Sequence, residues 1–189
     1  MNRYVLVVRR WWAVPLAVTA LVLSCGAAGT SEVPVPSLVS GMIGARVAYF
    51  TPLLVVGAVM YCLDRRAREP ERTAVVPIRR YDAGAVVLTV VLAHAAGLLV
   101  GMDVARNVTL LLALALLVRR LANEATAVAS GLLFLLLNLI LGRTLQPEGH
   151  ASHTWWAVAL HPAGSVTAWL GTAVLFALAL RLSESRRGR

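Results

Sequence analysis

The stretch ATAVASGLLFLLLNLIL, from Ala125 to Leu141, contains no charged residue. A helix needs about 20 mainly apolar residues to cross a hydrocarbon core of roughly 30 Å. Similar apolar blocks recur along the chain, with approximate bounds Trp12 to Gly29, Met42 to Leu63, Ala83 to Gly101, Met102 to Val118 and Pro162 to Leu182. Only short connections separate them, so the sequence predicts an all-α, polytopic membrane protein. We expect six transmembrane helices in a single domain over residues 1–189.

The composition agrees with a chain that meets lipid. Of the 189 residues, 59% are hydrophobic and 14% are charged, whereas soluble domains have about a quarter of their residues charged. The formal charge of +9 could suggest a nucleic-acid partner. No segment could form a folded basic face with polar or aromatic readers, so we expect the lipid bilayer and no nucleic acid as a partner.

The arginines predict the orientation of the chain. If the N-terminus is inside, only three of the 18 basic residues, all of them arginine, lie in outer segments: Arg46, Arg106 and Arg143. Cytoplasmic connections carry an excess of basic residues, so we expect cytoplasmic N- and C-termini in a cell (plasma) membrane, of bacterial inner-membrane type. A five-crossing alternative omits the weak block after Met102. It would place the arginine-rich C-terminus outside, which disfavours it.

The N-terminal region resembles an export signal in two respects. Arg9 and Arg10 precede an apolar run that ends at Cys25, as in lipoprotein and twin-arginine signals. Trp11 and Trp12 are a poor continuation of the second signal. We therefore expect an uncleaved first helix after a cytoplasmic lead-in, residues 1–11. A disulfide is not expected, because Cys25 and Cys62 fall at different depths.

Prolines mark the expected irregular parts. The segment from Thr30 to Ser40 is too proline-rich for a helix and is expected to be a loop. Pro52 predicts a kink within the second crossing. Residues 142–161 are expected to form an outer loop and an interfacial segment with its tryptophans in the aromatic belt, and Pro162 to begin the last helix.

Two polar residues lie within apolar blocks. His94 and Asn138 could line an intramembrane polar path, or each could hydrogen-bond to a neighbouring helix. Gly97 and Gly101 form a Gly-x-x-x-Gly pair, which permits close approach of two helices.

Catalytic motifs are missing from the sequence. There is no phosphate-binding loop of the Walker type, so we expect no nucleotide hydrolysis by this chain, and no zinc-peptidase motif is present. Ser130 resembles the nucleophile of membrane serine proteases, with His161 as its only candidate base. His150 and His153 could bind a metal or be solvated, and a haem would need a second histidine at the depth of His94. We predict no catalytic residue, no metal site and no enzyme.

The polar segment DRRAREPERTAVVPIRRYD, from Asp64 to Asp82, is the most informative connection. Pro70 between two glutamates favours a helix start, and Pro77 favours its end. The predicted helix of about seven residues would lie beneath the membrane with a small apolar patch. It is either a charged connector at the lipid headgroups or a docking helix for a cytoplasmic partner.

This segment resembles the coupling region of the ABC-2-type transporter permeases. In that family an acidic-Arg pair closes the second crossing, a short helix follows, and Pro-x-x-Arg leads into the third crossing. Asp64 with Arg65, and the run from Pro77 to Arg80, have this order, with Glu71 between them. The run from Arg68 to Pro70 replaces the family's usual Gly-Thr-Leu. Six crossings, two cytoplasmic ends and a second inner turn also agree.

The resemblance implies a permease half-subunit of an ATP-driven exporter. It would pair with a second permease subunit, identical or different, and with a separate ATP-binding cassette subunit. ATP and Mg²⁺ would bind to that partner, so no cofactor is expected in this chain. The implied partner-coupling residues are Glu71, Arg72, Thr73, Val76, Pro77, Arg79, Arg80, Arg119, Arg120 and Glu124. The alternatives are a non-transporting anchor or assembly subunit and, less favoured, an intramembrane enzyme or a haem-bearing redox subunit.

Overall fold

A computed structural model describes residues 10–37, 41–64, 78–145 and 151–184. The described part is mostly helical. Its α-helices are α1 (Ala13–Ala28), α2 (Pro52–Asp64), α3 (Ile78–Val100), α4 (Met102–Arg119), α5 (Glu124–Leu141) and α6 (Val166–Glu184). Its antiparallel hairpins pair β1 (Glu32–Ser37) with β2 (Gly41–Arg46), and β3 (Arg143–Leu145) with β4 (Ala151–His153).

The helices run up and down between two different ends. We call one the hairpin end, because it carries both hairpins and the 3₁₀ turns Val47–Tyr49 and Val158–Leu160. The other is the turn end, where α2 finishes at Asp64 and a short turn joins α4 to α5. The α3–α4 connection lies at the hairpin end, and α6 finishes at the turn end.

Four segments are long and apolar enough to cross a membrane: Val47–Asp64, Tyr81–Val100, Glu124–Leu141 and Val166–Ser183. The outward faces of these helices are apolar as well. On α6 the exposed aliphatic side chains recur at every fourth residue, and they are Val166, Leu170, Val174, Leu178 and Leu182. Residues four apart share one face of a helix, and a continuous apolar face of this kind fits lipid rather than water. The described chain is therefore that of a helical membrane protein.

The two remaining helices differ from these four. α1 is apolar but has only 16 residues. α4 carries Asp103, Arg106 and Arg119, yet it is the central helix and packs against α2, α3, α5 and α6. Every residue from Val104 to Ala113 is buried. Because α4 meets protein on all sides there, it does not need an apolar surface.

The α3–α4 connection depends on glycine. Gly101, the single residue between the two helices, has φ 124°, a conformation that residues with a Cβ rarely adopt. A Cβ added to Gly97 would lie 2.6 Å from the Cβ of Ala105. Of the Gly-x-x-x-Gly pair, Gly97 thus lies at a close contact of α3 with α4, whereas Gly101 forms the turn between them.

The start of the second block differs from the prediction. Residues 41–46 form β2 instead of helix, and Pro52 is the first residue of α2 rather than a kink within it. Proline suits a first helical turn because its missing N–H has no partner to lose there. The segment expected to be a loop contains β1, whose prolines are tolerated in a two-stranded ribbon with free edges. The two hairpins are thus an exception to the all-α prediction.

The start of the last helix was also predicted wrongly. α6 begins at Val166, four residues after Pro162, and Ser165 caps it by accepting a hydrogen bond from the Ala168 N–H at 3.4 Å. Trp155 is 87% exposed, as the aromatic-belt prediction requires. In contrast, Ala157, Ala159 and Leu160 are buried against protein instead of lying on a lipid surface.

Candidate functional site

The turn end brings together two regions that the sequence singled out. One is the α4–α5 turn, where Asn123 caps α5 by accepting hydrogen bonds from the Thr126 N–H (2.8 Å) and hydroxyl (2.7 Å). Glu124 lies in the first turn of α5, where the helix dipole favours a negative charge. These contacts all lie within the turn and the start of α5, so they stabilise the turn independently of the other elements.

Arg119 joins this turn to the end of α2. Its Nη2 donates to the Leu63 carbonyl at 2.7 Å, and its Nε donates to Glu124 Oε1 at 3.1 Å. The side chains of Glu124 and Asp64 also lie close together. The last carbonyls of a helix have no partner within it, so a cation at that position stabilises the helix end. Asp64 is the residue at which the predicted coupling segment begins.

Arg10, which precedes α1, also contacts the last turn of α2. Arg10 donates to the Tyr61 hydroxyl, and its guanidinium lies 5.9 Å from the centre of the Tyr61 ring. The Cys62 thiol donates to the Arg10 carbonyl at 3.3 Å. Arg10 has φ 53°, an uncommon value for a residue other than glycine. The two cysteines are free, and Cys25 contacts the Thr51 hydroxyl at 3.2 Å instead.

We call Arg10, Tyr61, Leu63, Asp64, Arg119 and Glu124 the turn-end cluster. The structure places Arg119 and Glu124 of the predicted coupling set within it. Arg120 is half-buried beside it in the turn. Arg79 and Arg80 lie in the first turn of α3, of which the backbone is described. The predicted short helix from Pro70 to Pro77, with Glu71, Arg72, Thr73, Val76 and Pro77, lies outside the described residues.

The hairpin end has a second polar site, which the sequence did not predict. Arg106 is 0% exposed, and its Nη1 and Nη2 donate to the carbonyls of Pro162 (3.0 Å) and His161 (2.6 Å). Asn107 Nδ2 donates to the Ala159 carbonyl at 2.9 Å. Two adjacent side chains of α4 thus satisfy three carbonyls of the non-helical segment before α6. The only signal in the sequence was an Arg-Asn pair one turn into an apolar helix.

His94 and Asn138 bond within their own helices. His94 Nδ1 lies 2.7 Å from the Val90 carbonyl, and its ring centre is 5.5 Å from that of Trp169. Asn138 Nδ2 donates to the Phe134 carbonyl at 2.8 Å. The interhelical hydrogen bonds expected for these residues are not among the contacts of the described chain. Their role in a polar path stays a prediction.

Ser130 and His161, the two residues of the serine-nucleophile alternative, lie at different ends of the bundle. Ser130 Oγ donates to the Ala127 carbonyl at 2.8 Å, within the turn-end half of α5. His161 lies at the hairpin end, with Nε2 3.3 Å from the Thr154 carbonyl. His150 lies outside the described residues, and of His153 only the backbone is described. Within residues 10–37, 41–64, 78–145 and 151–184, no three histidine, cysteine or acidic side chains form a metal-binding group.

Comparison with protein-family models, with curated proteins and with solved structures finds no match to this chain. A functional proposal therefore depends on the residues and on their geometry.

Proposed function

We propose that this chain is the membrane-spanning permease half-subunit of an ATP-driven ABC-2-type exporter. The turn-end cluster is the observation that carries the proposal. It joins the start of the segment from Asp64 to Asp82 to the turn from Arg119 to Glu124. These are the two regions that the sequence resemblance assigns to docking of an ATP-binding cassette subunit.

The distribution of arginines supports a cytoplasmic turn end. Arg10, Arg119 and Arg120 lie there, and α6 carries Arg181 in its last turn. Of the arginines at the hairpin end, Arg106 is enclosed by protein. Among the described residues, the turn end thus has more arginines than the hairpin end, which is the arrangement of a cytoplasmic surface.

Six crossings follow if α1 and α4 also span the bilayer. The 16 residues of α1 give a length of about 24 Å at 1.5 Å per residue, and local thinning of the bilayer accommodates a short helix at modest cost. α4 is shielded from lipid by its neighbours, so its charges do not exclude it from the membrane. With both added, the two termini lie on the same side.

The contacts at the turn end also suggest how force would travel. A partner that pushes on the segment after Asp64 acts on the end of α2. Arg119 and Glu124 connect that end to α4 and α5, and Arg10 connects it to α1. Several helices would then move together as a rigid body, a mechanism that requires no catalytic residue in this chain. ATP and Mg²⁺ would bind to the partner subunit.

A second permease, identical or different, would complete the path for the substrate. The segments at the hairpin end are short, with three-residue strands in β3 and β4. They leave little room for an external substrate-capturing domain. Export of an amphiphile is therefore the transport direction we propose.

Purification from the native host in nanodiscs, followed by mass spectrometry of what copurifies, tests this function. We expect an ATP-binding cassette protein in near-equal amount, and its loss when Glu71 and Arg72 are both changed to alanine. Arg46→Met, which removes an exposed arginine at the hairpin end, serves as the control and should retain the partner. Recovery of the chain with unrelated membrane proteins alone would contradict the proposal and favour an anchor or assembly subunit.

A further inference from the structure

A segment that contains the 3₁₀ turn Val158–Leu160 but no α-helix lies across the hairpin end just before α6. We call residues Thr154 to Ser165 the strap. At its start the Thr154 N–H and hydroxyl both donate to the Gly142 carbonyl, at 2.9 and 3.2 Å. At its end the Ser165 N–H donates to the Pro162 carbonyl at 3.1 Å. Between these points the strap packs against the ends of α4 and α5.

The strap has apolar contacts in its first half. Its buried side chains are Ala157, Ala159 and Leu160, and the partly buried Trp156 and Val158 pack against the same core clusters. The free energy gained by burial scales with apolar area. At the other end of the strap, residues 162–164 are exposed. Apolar packing therefore holds the first half of the strap but not its second half.

Polar side chains of α4 attach the second half of the strap, and they also bond to Ala159. Arg106 donates to the carbonyls of His161 and Pro162, and Asn107 donates to that of Ala159. Hydrogen bonds from a charged donor are roughly twice as strong as neutral ones. The attachment is thus concentrated in two adjacent residues, and it contacts backbone, which any strap sequence would offer.

Arg106 is a costly residue to place there. Its guanidinium is fully buried, and the charge of Asp103 on the same helix lies close by. Among the described residues, its Nε has no hydrogen-bond partner. An aliphatic residue would fill this place in the bundle without burying a charge. The cost indicates that the polar attachment itself has a purpose beyond filling space.

We propose that Arg106 and Asn107 form a latch, and that the strap leaves the bundle as a unit when this latch is released, which opens the hairpin end. Residues 162–164, which lie between the buried part of the strap and α6, are exposed and would form the hinge of this movement. The inference is independent of the transported substrate and of any partner, because it rests on contacts within this chain.

Hydrogen–deuterium exchange of the full chain in nanodiscs tests the latch. Five strap amides are hydrogen-bonded within the strap, those of Ala157, Val158, Leu160, His161 and Ser165. In Arg106→Met these amides should exchange about tenfold faster or more, because two charge-assisted bonds are lost. The amides of α5 should stay more protected than those of the strap in both wild type and variant, because the strap is expected to open while α5 stays folded. Arg46→Met is the matched control and should leave the strap unchanged.

A second variant covers the case in which Arg106→Met does not fold. Asn107→Ala removes one neutral bond and should accelerate the same amides about two- to tenfold. Wild-type exchange in the strap of the folded variants would overturn the proposal. Equal protection of the strap and of α5 would overturn it as well, because the strap would then open only when the whole bundle unfolds.

Discussion

The two ends of α4 each place an arginine on backbone carbonyls of another segment, but in different surroundings. Arg119 at the turn end is 32% exposed and pairs with Glu124. Arg106 at the hairpin end is completely buried and bonds to carbonyls and to the Asn107 side chain. The exposed pair is screened by water and ions, whereas the buried cation depends on its hydrogen bonds and on the nearby charge of Asp103 to offset the loss of hydration. The turn end can therefore exchange its contacts with a partner, while the hairpin end depends on its own.

Arg106→Met is expected to have the largest effect on stability. It removes two hydrogen bonds from a charged donor to the carbonyls of His161 and Pro162, and each bond of this kind contributes about 1.5–3 kcal/mol. We expect the free energy of unfolding to fall by about 2–5 kcal/mol in total. Denaturant unfolding in detergent, followed by tryptophan fluorescence, measures this. A loss no greater than that of Arg46→Met would show that the buried arginine is not a stabilising attachment.

Gly97→Ala should come next, because the hairpin end also depends on the close contact of α3 with α4. The new Cβ would lie 2.6 Å from that of Ala105, and overpacking of this kind costs about 1–3 kcal/mol. Gly84→Ala is the matched control on the same helix, since a Cβ there meets nothing within 4 Å. The control should be neutral or stabilising, because alanine favours helix. Equal effects of the two changes would contradict the close packing.

At the turn end, Arg119→Met and Glu124→Gln should have smaller effects. We expect losses of about 1–2 kcal/mol for the first variant and less for the second, since the pair is partly exposed. A double-mutant cycle should give a coupling energy of about 0.2–1 kcal/mol that falls as salt is raised. Coupling that is insensitive to salt would mean that the pair is shielded from solvent, and the contrast with Arg106 would fail.

The smallest effect is expected for Asn138→Leu. Its Oδ1 is buried without a hydrogen-bond partner among the described residues, so an apolar residue of similar size should be neutral or slightly stabilising. Asn107→Leu is the comparison, because it breaks the bond to the Ala159 carbonyl and should destabilise. If Asn138→Leu abolishes activity but keeps stability, Asn138 belongs to a polar path.

The sequence predicted most of the helices because apolar runs and arginine clusters mark where lipid and water meet the chain. Its expected bounds for the third, fourth and fifth blocks lie within a few residues of α3, α4 and α5. The block after Met102 was weak by hydropathy because it forms the centre of the bundle. High hydropathy is typical of helices that contact lipid, whereas α4 packs against four other helices.

The long-range contacts of Arg119 and Arg106 could not be predicted, because their acceptors are backbone carbonyls. Every residue has such a carbonyl, so the sequence carries no signal for a bond from Arg119 to Leu63 or from Arg106 to Pro162, each spanning 56 residues. The hairpin of β1 and β2 was hidden by its prolines, which argue against a central strand but not against a two-stranded ribbon. The start of α2 was missed because Pro52 was interpreted as a kink within a longer helix, whereas it is the first residue of α2.

Site-directed photo-crosslinking in native membranes tests the central claim most directly. A photoreactive residue would replace Arg120 at the turn end or, as the matched control, Arg46 at the hairpin end. The proposal predicts a crosslink from position 120 to an ATP-binding cassette protein and none from position 46. A crosslink to such a protein from position 46, or crosslinks from position 120 to other proteins only, would contradict it.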